Sequence, residues 1–262
     1  MTAAVLTSDT RPPAPEAARP VPPGRLTLVE LRKLGDTRAG FWLLLVIGLA
    51  TVGTSAVLLG WAPDDEIKYS EFFAFGLVPG TVLLAVLGIL SMTSEWSQRT
   101  ALATYSLVPA RGRVFVAKLA AGVLVAVAAT AATAVLSVAA NLLGTALSGD
   151  GSWHIDGSLI WQGLLSEVIF VLMGMGFGAL LLNSPLAIVT YLALPTLWSV
   201  LGETIRPLGT AAKWLDLNLT SQALSDPSMT SGEYARLGVS VAVWVLVPLL
   251  AGAWRTMRRE VS

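Results

Sequence analysis

Apolar residues along the chain fall into six blocks, at 41–60, 72–92, 114–143, 159–182, 185–201 and 237–254, separated by short polar stretches. A helix rises about 1.5 Å per residue, so roughly 20 residues cross a hydrocarbon core of about 30 Å. The pattern therefore predicts six transmembrane helices. The third block is long enough to project beyond the bilayer. The fourth and fifth are parted only by Asn183 and Ser184, which predicts a tight helical hairpin. Trp42, Trp61, Trp153, Trp161 and Trp254 stand at block edges, where interfacial aromatic belts form.

Ahead of the first block, Leu26, Val29, Leu31 and Leu34 alternate with Glu30, Arg32, Lys33 and Arg38. This favours a short amphipathic helix lying on the inner leaflet over a simple extension of span one. Residues 1–24 are rich in proline and alanine and read as a disordered cytoplasmic tail. The first apolar block begins too late for a signal peptide.

Lys and Arg decide orientation. Six precede span one, four lie between Arg99 and Lys118, and three follow span six, whereas the other side holds only Lys68, Arg206, Lys213 and Arg236. By the positive-inside rule both termini are cytoplasmic. The expected fold is an all-α membrane protein with six transmembrane helices and an N-terminal amphipathic interfacial helix, residing in the cell membrane.

Composition agrees. Of 262 residues 54% are hydrophobic and 13% charged, about half the charged share of a soluble domain. Mean hydropathy is +0.70. A soluble chain this short has too little interior to bury that much apolar surface. Net charge is zero, so nothing points to nucleic acid, and the absence of cysteine excludes thiol chemistry.

Catalytic chemistry has little to build on. His154 is the only histidine, and no G-x-x-x-x-G-K-[ST] phosphate loop occurs. Asp64, Asp65 and Glu66 read as a solvated loop. No metal site and no cofactor are expected. Glu167 is the ionisable residue well inside a span; Gly163, Gly174 and Gly178 share its helical face, which should meet protein or a cavity rather than lipid. Thr130, Thr133, Ser137 and Asn141 form one polar stripe on span three. Both features could pack helices or line a translocation route.

The stretch after span two reads Met92-Thr93-Ser94-Glu95-Trp96, then Arg99-Thr100, then Val108-Pro109-Ala110-Arg111-Gly112-Arg113, then Lys118. This resembles the type-2 ABC-transporter permease family of actinobacterial type, whose loop carries a "(T/S)-E-(W/Y)…T…P-x-R-x-R…K" run. Glu30 and Lys33 resemble that family's "E-x-x-K" helix before span one. Gly176 to Leu181 followed by Ser184-Pro185-Leu186-Ala187 resembles its turn between spans four and five. Arg258-Arg259-Glu260-Val261 resembles its "R-R-D" ending. The resemblance covers roughly residues 26–262. It departs where many relatives have an arginine near Leu181, Leu182 and Asn183, so it names no substrate.

The resemblance implies a permease domain over 25–262 that pairs with a second permease copy or a homologous permease and binds a separate cytoplasmic ABC ATPase, which holds the ATP. It implies export of cargo by alternating access. Residues 93–113 would form the coupling loop and 202–234 an extracytoplasmic cap, where Trp214, Leu215, Leu217 and Leu219 suit partial burial. The ATPase-coupling interface would use Glu30, Lys33, Glu95, Arg99, Thr100, Pro109, Arg111 and Arg113. Leu102, Tyr105 and Leu107 give the loop an apolar face suited to docking. The alternatives are a secondary transporter and a membrane sensor or immunity subunit of the same fold. A membrane-embedded enzyme would need paired carboxylates or histidines within the spans.

Overall fold

The structure is a computed structural model that describes residues 21–98, 110–147 and 151–258. Among these residues every regular element is helical. Six helices are long and apolar enough to cross a membrane: α2 (Arg38–Trp61), α3 (Tyr69–Ser97), α4 (Arg111–Leu147), α5 (Gly157–Leu181), α6 (Ser184–Thr204) and α9 (Ser231–Arg258). The chain is an all-α, six-span membrane protein. Many of the span residues are valine, threonine and isoleucine, which favour strands in water. In hydrocarbon each backbone group must be satisfied within its own segment, and that overrides local propensity.

A separate helix, α1 (Pro23–Asp36), precedes the spans. It begins inside the stretch read as tail, because Pro23 fits the first helical turn, where its missing N–H costs nothing. Thr37 breaks the helix and caps α2, its hydroxyl accepting from the Gly40 N–H at 3.1 Å. Any side chain at Gly40 would collide with the Leu34 carbonyl, so glycine permits the tight passage from α1 into α2. The tail 1–20 lies outside the described residues.

Helices α3 and α5 form the centre of the bundle. About half of each apolar window is buried, 50% and 56%, against 22% for α2 and α6, whose outer faces are left to lipid. One face of α5 packs along α3 through small residues. Gly163 meets Phe73 and Leu77, Gly174 meets the Ala85 backbone, and Gly178 meets Ile89 and Met92. Gly80 and Gly88 on α3 receive Glu167 and Met175 in return. Trp42, Trp61, Trp153, Trp161 and Trp254 are all at least half exposed, as a lipid interface allows and water does not.

Two segments differ in extent from the sequence reading. α3 continues to Ser97 and α4 starts at Arg111, so the stretch between them spans only 98–110. The segment between α6 and α9 is likewise 205–230, because Thr230 and Glu233 form a capping box that starts α9 six residues before the apolar block. Within it lie α7 (Gly209–Leu215) and α8 (Leu217–Gln222). Leu217 is buried and Leu215 half-buried, while Trp214 and Leu219 are 43% and 46% exposed. α9 holds a π-turn at Ala242–Leu246, with the Val247 N–H bonded to the Ala242 carbonyl. The wider turn sits just before Pro248, whose ring would clash with a regular preceding turn.

The α5–α6 hairpin turns within two residues. Leu182 takes a left-handed φ of 53°, and Asn183 caps α6 by accepting from the Leu186 N–H at 3.0 Å.

Candidate functional site

Glu30 sits between Leu26 and Leu34 on the buried face of α1. A carboxylate there is tolerated only with partners, since an unpaired buried charge is costly. Its partners are one lysine of α4 and one of α1 itself. Glu30 Oε2 lies 2.7 Å from Lys118 Nζ on α4, and Oε1 lies 2.8 Å from Lys33 Nζ. Glu95, in the last turn of α3, closes the ring, with Oε1 at 2.9 Å from Lys33 and 3.3 Å from Lys118. Lys118 also donates to the Ser91 carbonyl at 3.1 Å, which uses all three of its N–H groups.

This ring alternates two carboxylates with two ammonium groups. Glu30, Glu95 and Lys118 are buried, while the Lys33 side chain remains 42% exposed. Burial alone would lower the Lys33 pKa. Hydrogen bonds to Glu30 and Glu95, with their charges, outweigh burial and hold it above the usual lysine value. Three helices, α1, α3 and α4, are thereby tied together at one end of the bundle, the end that carries most of the basic residues.

The arginines of the sequence reading anchor the same end. Arg111 donates to the Thr256 carbonyl of α9 at 3.2 Å, and Arg113 to the Val21 carbonyl ahead of α1 at 2.5 Å. The Arg255 guanidinium reaches the Leu180 carbonyl at the end of α5. Thr93 and Ser184 share a hydrogen bond of 2.7 Å that joins α3 to the start of α6. Arg99, Thr100, Pro109 and the docking residues Leu102, Tyr105 and Leu107 lie outside the described residues, as does the ending 259–262.

Glu95, which the resemblance places at the ATPase-coupling interface, turns inward and is 6% exposed, held by the two lysines. Lys118 carried no role in the sequence reading. Its signal was present, because a lone lysine four residues into an apolar block needs a buried partner.

Deeper in the bundle, Glu167 is 1% exposed, its carboxyl lodged against Gly80. Its Oε2 has no hydrogen-bond partner, and among the described residues no cation lies within ion-pair distance. Thr130, Thr133, Ser137 and Asn141 are all buried. Thr130 and Ser137 bond back to carbonyls of their own helix. The Thr133 methyl packs on Gly76 of α3, where Thr51 of α2 donates to the Gly76 carbonyl at 3.1 Å. Asn141 Nδ2 reaches the Gly151 and Ser152 carbonyls, pinning the loop before α5. The stripe is thus the meeting line of α2, α3 and α4.

Two cavities flank these features. One of about 550 Å³ lies between α3, α5 and the 221–227 stretch, with Phe73, Leu77, Thr81, Gln162, Ser166 and Leu224 among its walls. The other, about 600 Å³, adjoins the ion ring. Among the described residues no group of three His, Cys, Asp or Glu side chains is placed to hold a metal ion. No protein-family model matches the chain, and no curated protein matches it significantly.

Proposed function

We propose that the chain is the membrane-spanning permease subunit of an ATP-driven ABC exporter, working with a separate cytoplasmic ATPase and a second permease copy. The observation that carries this reading is the ion ring. Glu30, Lys33, Glu95 and Lys118 are among the residues that carry the sequence resemblance, separated by up to 88 positions, and they meet in one cluster. The cluster binds α1 rigidly to both helices that flank residues 98–110. A partner pressing on α1 and on that stretch would move α3 and α4 together, which is what coupling ATP-driven closure to the spans requires.

The excess of basic residues at this end supports a cytoplasmic location for it. The remaining steps are those that the sequence resemblance implies. The ATPase supplies the free energy, the ring transmits displacement, and cargo passes along a route shared with the second permease. The test is co-expression with the cognate ATPase. The two should co-purify, and transport should cease when the ATPase loses its Walker lysine. Purified alone, the chain should neither bind nor hydrolyse ATP; hydrolysis by the isolated chain would contradict the proposal.

One observation favours a second reading, an ion-coupled secondary transporter: the unpartnered Glu167 carboxyl inside the bundle. Under that reading Glu167→Gln abolishes transport and an uncoupler stops it without ATP depletion. Under the favoured reading neither happens.

A further inference from the structure

The cavity of about 600 Å³ beside the ion ring opens where α1 turns into α2. Its exposed wall is mainly apolar, from Leu90, Ala39 and the carbon stems of its polar residues, which include Lys33, Arg38 and Ser94. It lies at the ends of membrane-spanning helices, which is the level of lipid headgroups.

Charge selects the occupant. Five ionisable side chains line the cavity: Glu30, Lys33, Arg38, Glu95 and Lys118. Four of them cancel within the ring. Arg38 is exposed and, among the described residues, has no hydrogen-bond or ion-pair partner, so the described cavity wall carries one unbalanced positive charge. The Lys33 side chain beside it is 42% exposed, and its ammonium has one N–H left after donating to Glu30 and Glu95. Both carboxylates are already engaged by lysines, so neither is free to bind a choline or ammonium headgroup. A soluble phosphate ester would leave the apolar wall wet and bring more than one negative charge. A phosphodiester with acyl chains matches both the single charge and the apolar wall.

We propose that this cavity binds an anionic phospholipid, its phosphodiester held by Arg38 and the remaining N–H of Lys33 and its acyl chains lying against Leu90 and the apolar wall around it. The bound lipid completes the junction between α1 and the spans. This inference does not depend on the transport reading, because it concerns only what fills the cavity.

The test uses the full-length chain, delipidated in detergent and titrated with phosphatidylglycerol or phosphatidylcholine, with bound lipid counted by native mass spectrometry. Phosphatidylglycerol should bind first and more tightly. Arg38→Gln should weaken it by about fivefold, the value of one basic residue facing an anionic lipid. Arg38→Lys should retain most of the binding. Arg32→Gln, which removes the same charge from an exposed position of α1 that does not line the cavity, should leave binding unchanged. Equal binding of the two lipids, or an Arg38→Gln variant that binds like the wild type, would overturn the proposal. Displacement of the lipid by millimolar inorganic phosphate would assign the cavity to a soluble ligand and overturn it as well.

Discussion

A lysine among alanines and valines is stable only if its charge is answered, and Lys118 is answered three times over. Removing it leaves Glu30 and Glu95 short of a partner in a buried site. Lys118→Met should therefore destabilise the fold by about 3–5 kcal/mol, the usual cost of breaking a buried pair from one side. Adding Glu30→Gln should recover part of that loss, because the two changes remove charges that face each other. Thermal unfolding midpoints in detergent for the single and double variants check this; additive losses would mean the pair is not coupled. Lys33 gives a pH dependence. Its pKa is raised in the fold, so its stabilising contribution is complete below the ordinary lysine value of 10.5 and is lost as pH rises past the raised value. The stability difference between wild type and Lys33→Met should stay constant from neutral pH to about 9 and shrink only above about 10.5. The members of the ring were legible one by one in the sequence. That they are one site was not, because pairing between positions 30, 95 and 118 is set by helix packing and no local spacing encodes it.

Among the elements, α3 and α5 cross at contact distance through glycines, and the sequence announced half of this. Gly163, Gly174 and Gly178 share a face with Glu167 by simple helical periodicity. Their partner helix could not be read, since an apolar face fits any apolar neighbour. The structure names it. A methyl at Gly174 would strike the Ala85 carbonyl and a methyl at Gly178 would lie 2.9 Å from the Ile89 carbonyl, whereas a methyl at Gly53 of α2 meets nothing. Gly174→Ala should cost about 1–3 kcal/mol by overpacking, and Gly53→Ala should be neutral. Comparable midpoints for the two variants would mean that α3 and α5 are not held at this distance. Helix ends were the less legible part. α3 and α9 run past their apolar blocks because Glu95 is neutralised by lysines and because Thr230 and Glu233 cap each other, and both effects come from polar residues outside the hydrophobic pattern.

The whole molecule has its basic residues concentrated at one end and helices α7 and α8 at the other. Six spans were readable from the hydrophobic blocks alone, because bilayer thickness fixes helix length. With both ends of an even bundle on one side, orientation reduces to one experiment. The chain has no cysteine, so single substitutions report cleanly. Asp65→Cys and Ser228→Cys should react with an impermeant thiol reagent added to intact cells, and Ser97→Cys only after permeabilisation. The reverse pattern would invert the topology and remove the proposed ATPase from reach of the ion ring.

The most direct test of the central claim joins the ring to its proposed partner. The tagged chain is drawn from native membranes under mild detergent, and ATP hydrolysis and the associated subunits are measured in the eluate. The account predicts a co-purifying ATPase whose hydrolysis is abolished by mutating its own Walker lysine, with the six-span chain itself inactive. A folded chain that retains no ATPase subunit, or one that hydrolyses ATP alone, would contradict it.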